Sequence, residues 1–550
     1  MSGLPVQDRA PSSGGGDPAA VVTVGVGPLG IAEVVAVARD GARVELGEEA
    51  RAAIAAARTV VERHADSDRA IYGVSTGFGA LASTRIDTDS RVDLQHSLVR
   101  SHAAGSGAEV EREVVRALML LRLHTITSGH TGVRLSTALT YAALLNGGIT
   151  PVVFEHGSLG CSGDLSPLAH CALAVIGEGE VRDGAGERMP TARALAAAGL
   201  EPVRLAAKEG LALINGTDGM LGMLALAITD LSGLLTTADV TAAMSVEALL
   251  GTDRVFAPEL QAVRPHPGQK ASAANLARML RDSSIVASHR GDDCTVVQDA
   301  YSLRCAPQVA GAARATVRHA TEVAEIELSS AVDNPVVLDD GRIESNGNFH
   351  GAPVGYVLDF LAIAAADVAS ISERRTDRLL DPKRSHGLPP FLGAQPGVDS
   401  GMMIAQYTQA AIVSDLKRLA VPASVDSIPS SAMQEDHVSM GWSAGRKLRR
   451  AIDGLARVLA IEALVAARAL EFRAPLQPAP ATKAALDRLR RDIPGIGRDR
   501  WLSPEIDAAV TVVTGGELVA AVEAVLDSPE LRPLPRNSQR ARTTLERTDP

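Results

Sequence analysis

Residues 219–250 read GMLGMLALAITDLSGLLTTADVTAAMSVEALL, and this run decides the fold class. Apolar residues recur in it at three- and four-residue spacing, the period of an α-helix, over a length well beyond that of an ordinary globular helix. Asp230, Asp239 and several Thr interrupt the apolar run, so a buried bundle helix explains it better than a membrane span. The same spacing returns over 48–65, 109–125, 309–328, 356–380 and 442–472. Strand-like pieces are short and few, at 21–24, 43–46 and 150–153. Aromatic residues make up 3% of the chain, so Ala, Leu and Val must fill the core, which suits helices whose backbones approach closely. The expected fold is mainly α: a long-helix bundle over 206–526, with a smaller mixed N-terminal part over 21–205. A polar leader (1–20) and a polar, Pro- and Arg-containing tail (527–550) read as disordered.

Bulk properties exclude several classes. A net charge of −11 is the wrong sign for a nucleic-acid surface, and the one tight basic cluster, Arg446-Lys447-Leu448-Arg449-Arg450, reads as a solvated helix face. Four cysteines (Cys161, Cys171, Cys294, Cys305) in 550 residues are neither a disulfide scaffold nor a CxxC metal site. No HExxH or similar cluster occurs among thirteen His, so no metal is expected. The leader lacks a basic start followed by an apolar run, so a cytoplasmic protein with no membrane association is expected.

Gly25-Val26-Gly27-Pro28-Leu29-Gly30 matches GxGxxG after a strand-like stretch. A dinucleotide fold would need further βαβ units, and long helices follow instead. The better reading is a strand that turns tightly into a helix, with Pro28 near its start.

Gly- and Ser-rich turns gather at 73–79, 157–163, 215–219 and 345–351. The most informative stretch is Gly157-Ser158-Leu159-Gly160-Cys161-Ser162-Gly163-Asp164-Leu165-Ser166-Pro167. A loop capping a helix accounts for it from Asp164 onward, with the acid favourable in the first turn. It does not account for Ser162-Gly163 inside so flexible a loop. A thiol nucleophile at Cys161 would need a base at hand.

Here the sequence resembles the histidine and phenylalanine ammonia-lyase family, in which an inner X-Ser-Gly tripeptide cyclises to a methylidene-imidazolone. Resemblance extends in order over nearly all of 21–526, through Tyr72-Gly73-Val74-Ser75-Thr76-Gly77-Phe78-Gly79, Asn215-Gly216-Thr217, Gln298-Asp299-Ala300-Tyr301-Ser302-Leu303-Arg304, Asp333-Asn334-Pro335 and Asn348-Phe349-His350-Gly351. It implies a prosthetic group formed by Cys161, Ser162 and Gly163 with no external cofactor, and a homotetramer whose sites combine loops of three subunits. Alanine is usual at the first position; only backbone from that residue enters the ring, so Cys161 is compatible.

The implied roles follow the chemistry. An α-amino acid's ammonia leaves poorly, and adding the amine to an electron-poor methylidene makes it leave more easily. Tyr72 is the expected base for the β-proton, which requires a stabilised phenolate because an ordinary tyrosine titrates near pH 10. Tyr301 assists proton handling, and Arg304, helped by Asn334, grips the carboxylate. Asn215 and Gln298 hydrogen-bond the ring or the amine, and Phe349 packs against substrate or ring. Selectivity falls to Ser101-His102, at the family's side-chain selectivity position, and to Gln434-Glu435-Asp436-His437-Val438-Ser439-Met440, which resembles the version typical of histidine lyases. Glu435 can accept from an imidazole N–H and His102 can pair with the other nitrogen, whereas a phenyl ring would leave a buried carboxylate unpaired. The expected reaction is therefore elimination of ammonia from L-histidine. The alternative is a tyrosine or phenylalanine lyase, or a 2,3-aminomutase, with the same ring.

Overall fold

Strand Val21–Val24 pairs in parallel with Arg43–Leu46, and the connection runs through helix Ile31–Val35 and a π-helical segment, Ala36–Asp40. Alternate residues of each strand turn inward, burying Val22, Val24, Val44 and Leu46. Among the described residues this sheet has two strands only. The glycine pattern therefore serves a tight strand-to-helix turn, not a doubly wound nucleotide fold.

The computed structural model describes residues 20–65, 71–73, 75–77, 79–81, 83–161, 163–291, 296–526 and 531. The leader, nearly all of the tail, Ser162 and Cys294 lie outside this set. The long periodic runs all form helices: Glu48–Ala65, Arg112–Thr127, Asp218–Ala248, Ala306–Glu327, Ala352–Leu380 and Gly441–Glu471. The mainly α expectation holds. Two of them, Asp218–Ala248 and Ala352–Leu380, are long and apolar enough to cross a membrane. Asp218–Ala248 has 83% of its most apolar window buried in the fold, as a bundle helix does.

The chain forms two compact units, each entered three times. One comprises 1–230, 319–363 and 418–452, the other 231–318, 364–417 and 453–550. The first holds every described strand. Its helices approach closely through small residues: a Cβ at Gly222 would stand 3.0 Å from that of Ala117. The second unit is helical and organised around a buried carboxylate. Glu462 accepts from the hydroxyls of Thr241 (2.8 Å), Ser245 (2.7 Å) and Ser372 (2.6 Å), and from the Arg375 guanidinium. Glu462 and Arg375 have side chains 0% and 2% exposed, so neither can recruit water if its partner is lost.

Glu462→Ala should therefore lower stability by about 3–5 kcal/mol, because Arg375 would be left as an uncompensated buried charge. Chemical denaturation of parent and variant at one protein concentration checks this.

Candidate active site

Four helices have their starts, all within the first unit, around residues 159–164. Helix Leu165–Val175 starts immediately after them. At the start of Asp218–Ala248, the Met220 N–H donates to Asp164 Oδ2 (2.9 Å). Just before Ala352–Leu380, the Gly351 N–H donates to the Gly160 carbonyl (3.0 Å). Just before Gly441–Glu471, the Met440 N–H donates to the Leu159 carbonyl (2.8 Å), and the Ser439 hydroxyl donates to the Gly160 carbonyl. Helix starts carry unsatisfied N–H groups and partial positive charge, so this loop lies in an electropositive nest.

Within the nest the backbone doubles back, and the Gly163 N–H donates to the Cys161 carbonyl. Gly163 has φ +82, and a Cβ there would sit 2.3 Å from the backbone nitrogen and oxygen of Gly216. Gly160 has φ +67 and is equally confined, with the Ser439 hydroxyl 2.6 Å from a would-be Cβ. Only glycine fits at either position. Ser162 lies outside the described residues.

Asp164 is fully buried, and its side chain serves the start of another helix. Its Oδ1 accepts from the Ser158 hydroxyl (2.8 Å) and its Oδ2 from Met220 N–H, tying the loop to a helix fifty residues on. Its own helix receives no cap from this side chain, contrary to the simple first-turn reading. Burial pushes the carboxyl up to about 7, against opposing hydrogen bonds from Met220 and Ser158.

Tyr72 lies in a loop held by mutual Ile71–Ser75 hydrogen bonds and by Gly77 N–H to Thr84 O (2.9 Å). Its hydroxyl accepts from the Gly79 N–H (3.2 Å). Burial raises its titration above the ordinary tyrosine range, the Gly79 hydrogen bond opposes this, and the Glu435 carboxylate adds to the rise. The expected stabilised phenolate is thus not a property of these neighbours: two of the three influences favour the neutral phenol.

Glu435 follows a turn in which Ser431, Ala432 and Met433 all adopt left-handed φ (49, 51 and 69), a conformation costly for residues with a Cβ. The turn is closed by reciprocal Ser430–Glu435 backbone bonds, and it abuts Gly79, whose would-be Cβ lies 2.6 Å from Ser431 Oγ. Glu435 Oε2 accepts from the Ser430 hydroxyl (2.8 Å) and faces Cys161 Sγ at 3.5 Å. Burial and the Glu435 carboxylate push the Cys161 thiol up to about 12, so it is a protonated donor rather than a nucleophile.

His102 ends helix Arg91–His102, with Nδ1 2.9 Å from the Leu98 carbonyl. A carbonyl only accepts, so Nδ1 carries the proton and neutral His102 offers Nε2 as an acceptor. This amends the expected pairing. Glu435 and neutral His102 are both acceptors, and a neutral imidazole has a single N–H, so engaging both requires one added proton.

Asn215 Nδ2 donates to the Asn334 carbonyl (2.7 Å), while its buried Oδ1 has no partner among the described residues. Asn215 is therefore equipped to accept from an amine rather than to donate to a ring carbonyl. Asn334 Oδ1 accepts from the Asn346 N–H (3.0 Å). Next to it, Asp333 accepts from the Lys208 ammonium (2.6 Å) in a pair with both side chains 0% exposed, and Lys208 itself has φ +70. Sequence reading missed Lys208, Ser158 and Ser430, whose partners are Asp333 far along the chain, Asp164 across the glycine-rich loop and Glu435 across a turn of unusual hand. Phe349 is half-buried in the loop that joins strand Ile343–Glu344 to helix Ala352–Leu380.

Gln298, Tyr301 and Arg304 belong to the second unit. Gln298 is exposed and Tyr301 is 71% exposed. The Arg304 guanidinium stacks 4.6 Å over the Tyr301 ring and donates through Nε to the Asp299 carbonyl (2.9 Å).

This fold of long helices is matched by known proteins. The aromatic amino acid lyase family profile matches residues 29–491, and the chain belongs to that family. Among curated relatives, histidine ammonia-lyase of Streptomyces coelicolor is 64% identical over 505 residues, covering 92% of this chain and 98% of the relative. Histidine ammonia-lyase of Symbiobacterium thermophilum is 50% identical over 498 residues, covering 90% and 97%. Among solved structures, tyrosine aminomutase from Streptomyces globisporus superposes with a TM-score of 0.88 at 37% identity, covering 93% of this chain and 100% of that one. Histidine ammonia-lyase from Trypanosoma cruzi gives 0.84 at 36%, covering 92% and 95%.

Asp164 makes a testable contribution to stability. Its folded titration near 7 lies above the ordinary 3.8, so the native state holds this proton more tightly than the unfolded chain. Stability from this group is full below the unfolded value and is lost as pH rises from about 4 through about 7. Asp164→Asn removes that dependence at the expense of an acceptor. The stability deficit of the variant relative to the parent should shrink between pH 5 and pH 8, as read from melts at both.

Proposed function

We propose that this chain eliminates ammonia from L-histidine to give trans-urocanate, the opening step of histidine degradation, using a ring built from Cys161, Ser162 and Gly163. The observation that carries the reading is the Gly163 amide folded onto the Cys161 carbonyl in a cradle that admits only glycine. Relatives named histidine ammonia-lyase at up to 64% identity carry the choice of substrate. In ring closure the Gly163 nitrogen attacks the Cys161 carbonyl carbon, whose oxygen leaves as one water, and the Ser162 hydroxyl leaves as the second. The unpartnered Asn215 Oδ1 beside Gly216 also fits a ring that brings a substrate amine to this place. Once formed, the group supplies an electrophilic methylidene that turns the substrate's amine into a better leaving group.

The remaining work falls to the chain's own side chains. Tyr72 takes the β-proton, and Asn215 Oδ1 accepts from the amine. Glu435 and His102 hold the imidazole, with the added proton their shared acceptor character requires. Asn334 and Arg304 hold the carboxylate, while Gln298, Tyr301 and Phe349 complete the enclosure. The exposure of Gln298 and Tyr301 favours their serving a site shared with another copy. So do Tyr356, Phe360 and Ile363, which expose 52%, 43% and 46% of their surface along one face of helix Ala352–Leu380. We take the assembly to be a homotetramer acting in the cytoplasm, with a small-molecule substrate and no external cofactor.

Purified protein mixed with L-histidine should generate the ultraviolet absorbance of urocanate, and its intact mass should be two waters below the sequence mass. A dehydrated protein inert toward histidine would move the assignment to a tyrosine or phenylalanine lyase or aminomutase, in keeping with the aminomutase among its structural neighbours. A full-mass, inert protein would overturn the reading altogether. Tyr72→Phe should keep the mass deficit and lower kcat by at least about 100-fold, the usual worth of a positioned base. Gly163→Ala should retain the full mass, since its Cβ collides with Gly216.

A further inference from the structure

We propose that Cys161 is a positioning residue whose thiol, with the Ser430 hydroxyl, holds the Glu435 carboxylate in place for the substrate's imidazole. This rests on the elimination of ammonia from histidine proposed above. The two donors meet the same oxygen: Ser430 Oγ is 2.8 Å and Cys161 Sγ 3.5 Å from Glu435 Oε2. Ser430 belongs to Glu435's own turn, closed by Ser430 N–H to Glu435 O (2.9 Å) and Glu435 N–H to Ser430 O (3.3 Å). Cys161 belongs to the cyclising loop 274 residues away in sequence. One donor fixes the carboxylate within its turn, and the other fixes that turn against the reactive loop.

The thiol suits this task in its resting state. Cys161 is 5% exposed, and its environment keeps the sulfur protonated, so it donates to the carboxylate instead of repelling it. Only its carbonyl carbon enters the ring, so the side chain persists afterwards on the Cα bonded to that ring carbon. The contact therefore ties a selectivity carboxylate to the electrophile through a few bonds. Alanine at this position would remove the donor that links Glu435 to the loop of Cys161. Serine would restore a donor, with a shorter reach and a stronger hydrogen bond.

Binding of urocanate, measured by calorimetry, probes the imidazole pocket without turnover, and intact mass reports ring closure separately. Parent, Cys161→Ala, Cys161→Ser and Ser430→Ala are compared by both methods. The expected result is a mass two waters low in all four. Urocanate binding should weaken roughly three- to tenfold in Cys161→Ala and in Ser430→Ala, the worth of one modest hydrogen bond, and return to within about twofold of the parent in Cys161→Ser. Unchanged binding in Cys161→Ala would overturn the inference, as would failure of serine to restore it. A full-mass Cys161→Ala protein would overturn it differently, assigning the thiol to ring closure. A parent that is two waters light and yields no urocanate from histidine would remove the underlying reading instead.

Discussion

Loop 159–164 is shaped by helix starts that come from four separate parts of the chain. Hydrogen bonds from Met220, Gly351 and Met440 amides, and from the Ser439 hydroxyl, fix its carbonyls and its buried acid. No segment of six residues would adopt that doubled-back path unaided, because two of its glycines sit at positive φ with neighbours closer than a Cβ allows. The long helices can thus be seen as struts that bring N–H groups to one place. Their small-residue crossings, such as Gly222 on Ala117, let the struts come close enough.

The same compression sets the electrostatics. Asp164 is drawn to a helix start yet buried so completely that desolvation dominates its titration. Tyr72, Cys161 and His102 are each shifted by burial first and by the nearby Glu435 carboxylate as well. Glu435 thus acts on the titration of three groups while being held by a turn of unfavourable hand. Substituting it would disturb proton placement at all three.

Much of this was legible in sequence, for definite reasons. Period fixes helices, so the bounds of Glu48–Ala65 and of the strands Val21–Val24 and Arg43–Leu46 could be read directly from the spacing and β-branching. Glycine clusters marked loop 157–163 because close backbone approach at Gly160 and Gly163 excludes every other residue. Illegible were features set by a distant partner. The Lys208–Asp333 pair spans 125 residues, and the bond between Asp164 and Met220 links two helix starts. His102 was found as a residue, but its proton position depends on the Leu98 carbonyl one turn back in its own helix. The left-handed Ser431–Met433 turn carries no Gly, Asn or Asp to announce it.

The separation in sequence of the groups around Gly160 has a consequence for the order of events during synthesis. A ribosome emits residue 160 long before Gly351, and Gly351 long before Ser439 and Met440. Until the last of these has left the exit tunnel, the loop lacks part of what bends it. Under the proposed chemistry, an irreversible dehydration would then wait until the chain has been made at least through Met440. The two missing waters would be a permanent stamp, borne only by chains that had once completed the first unit.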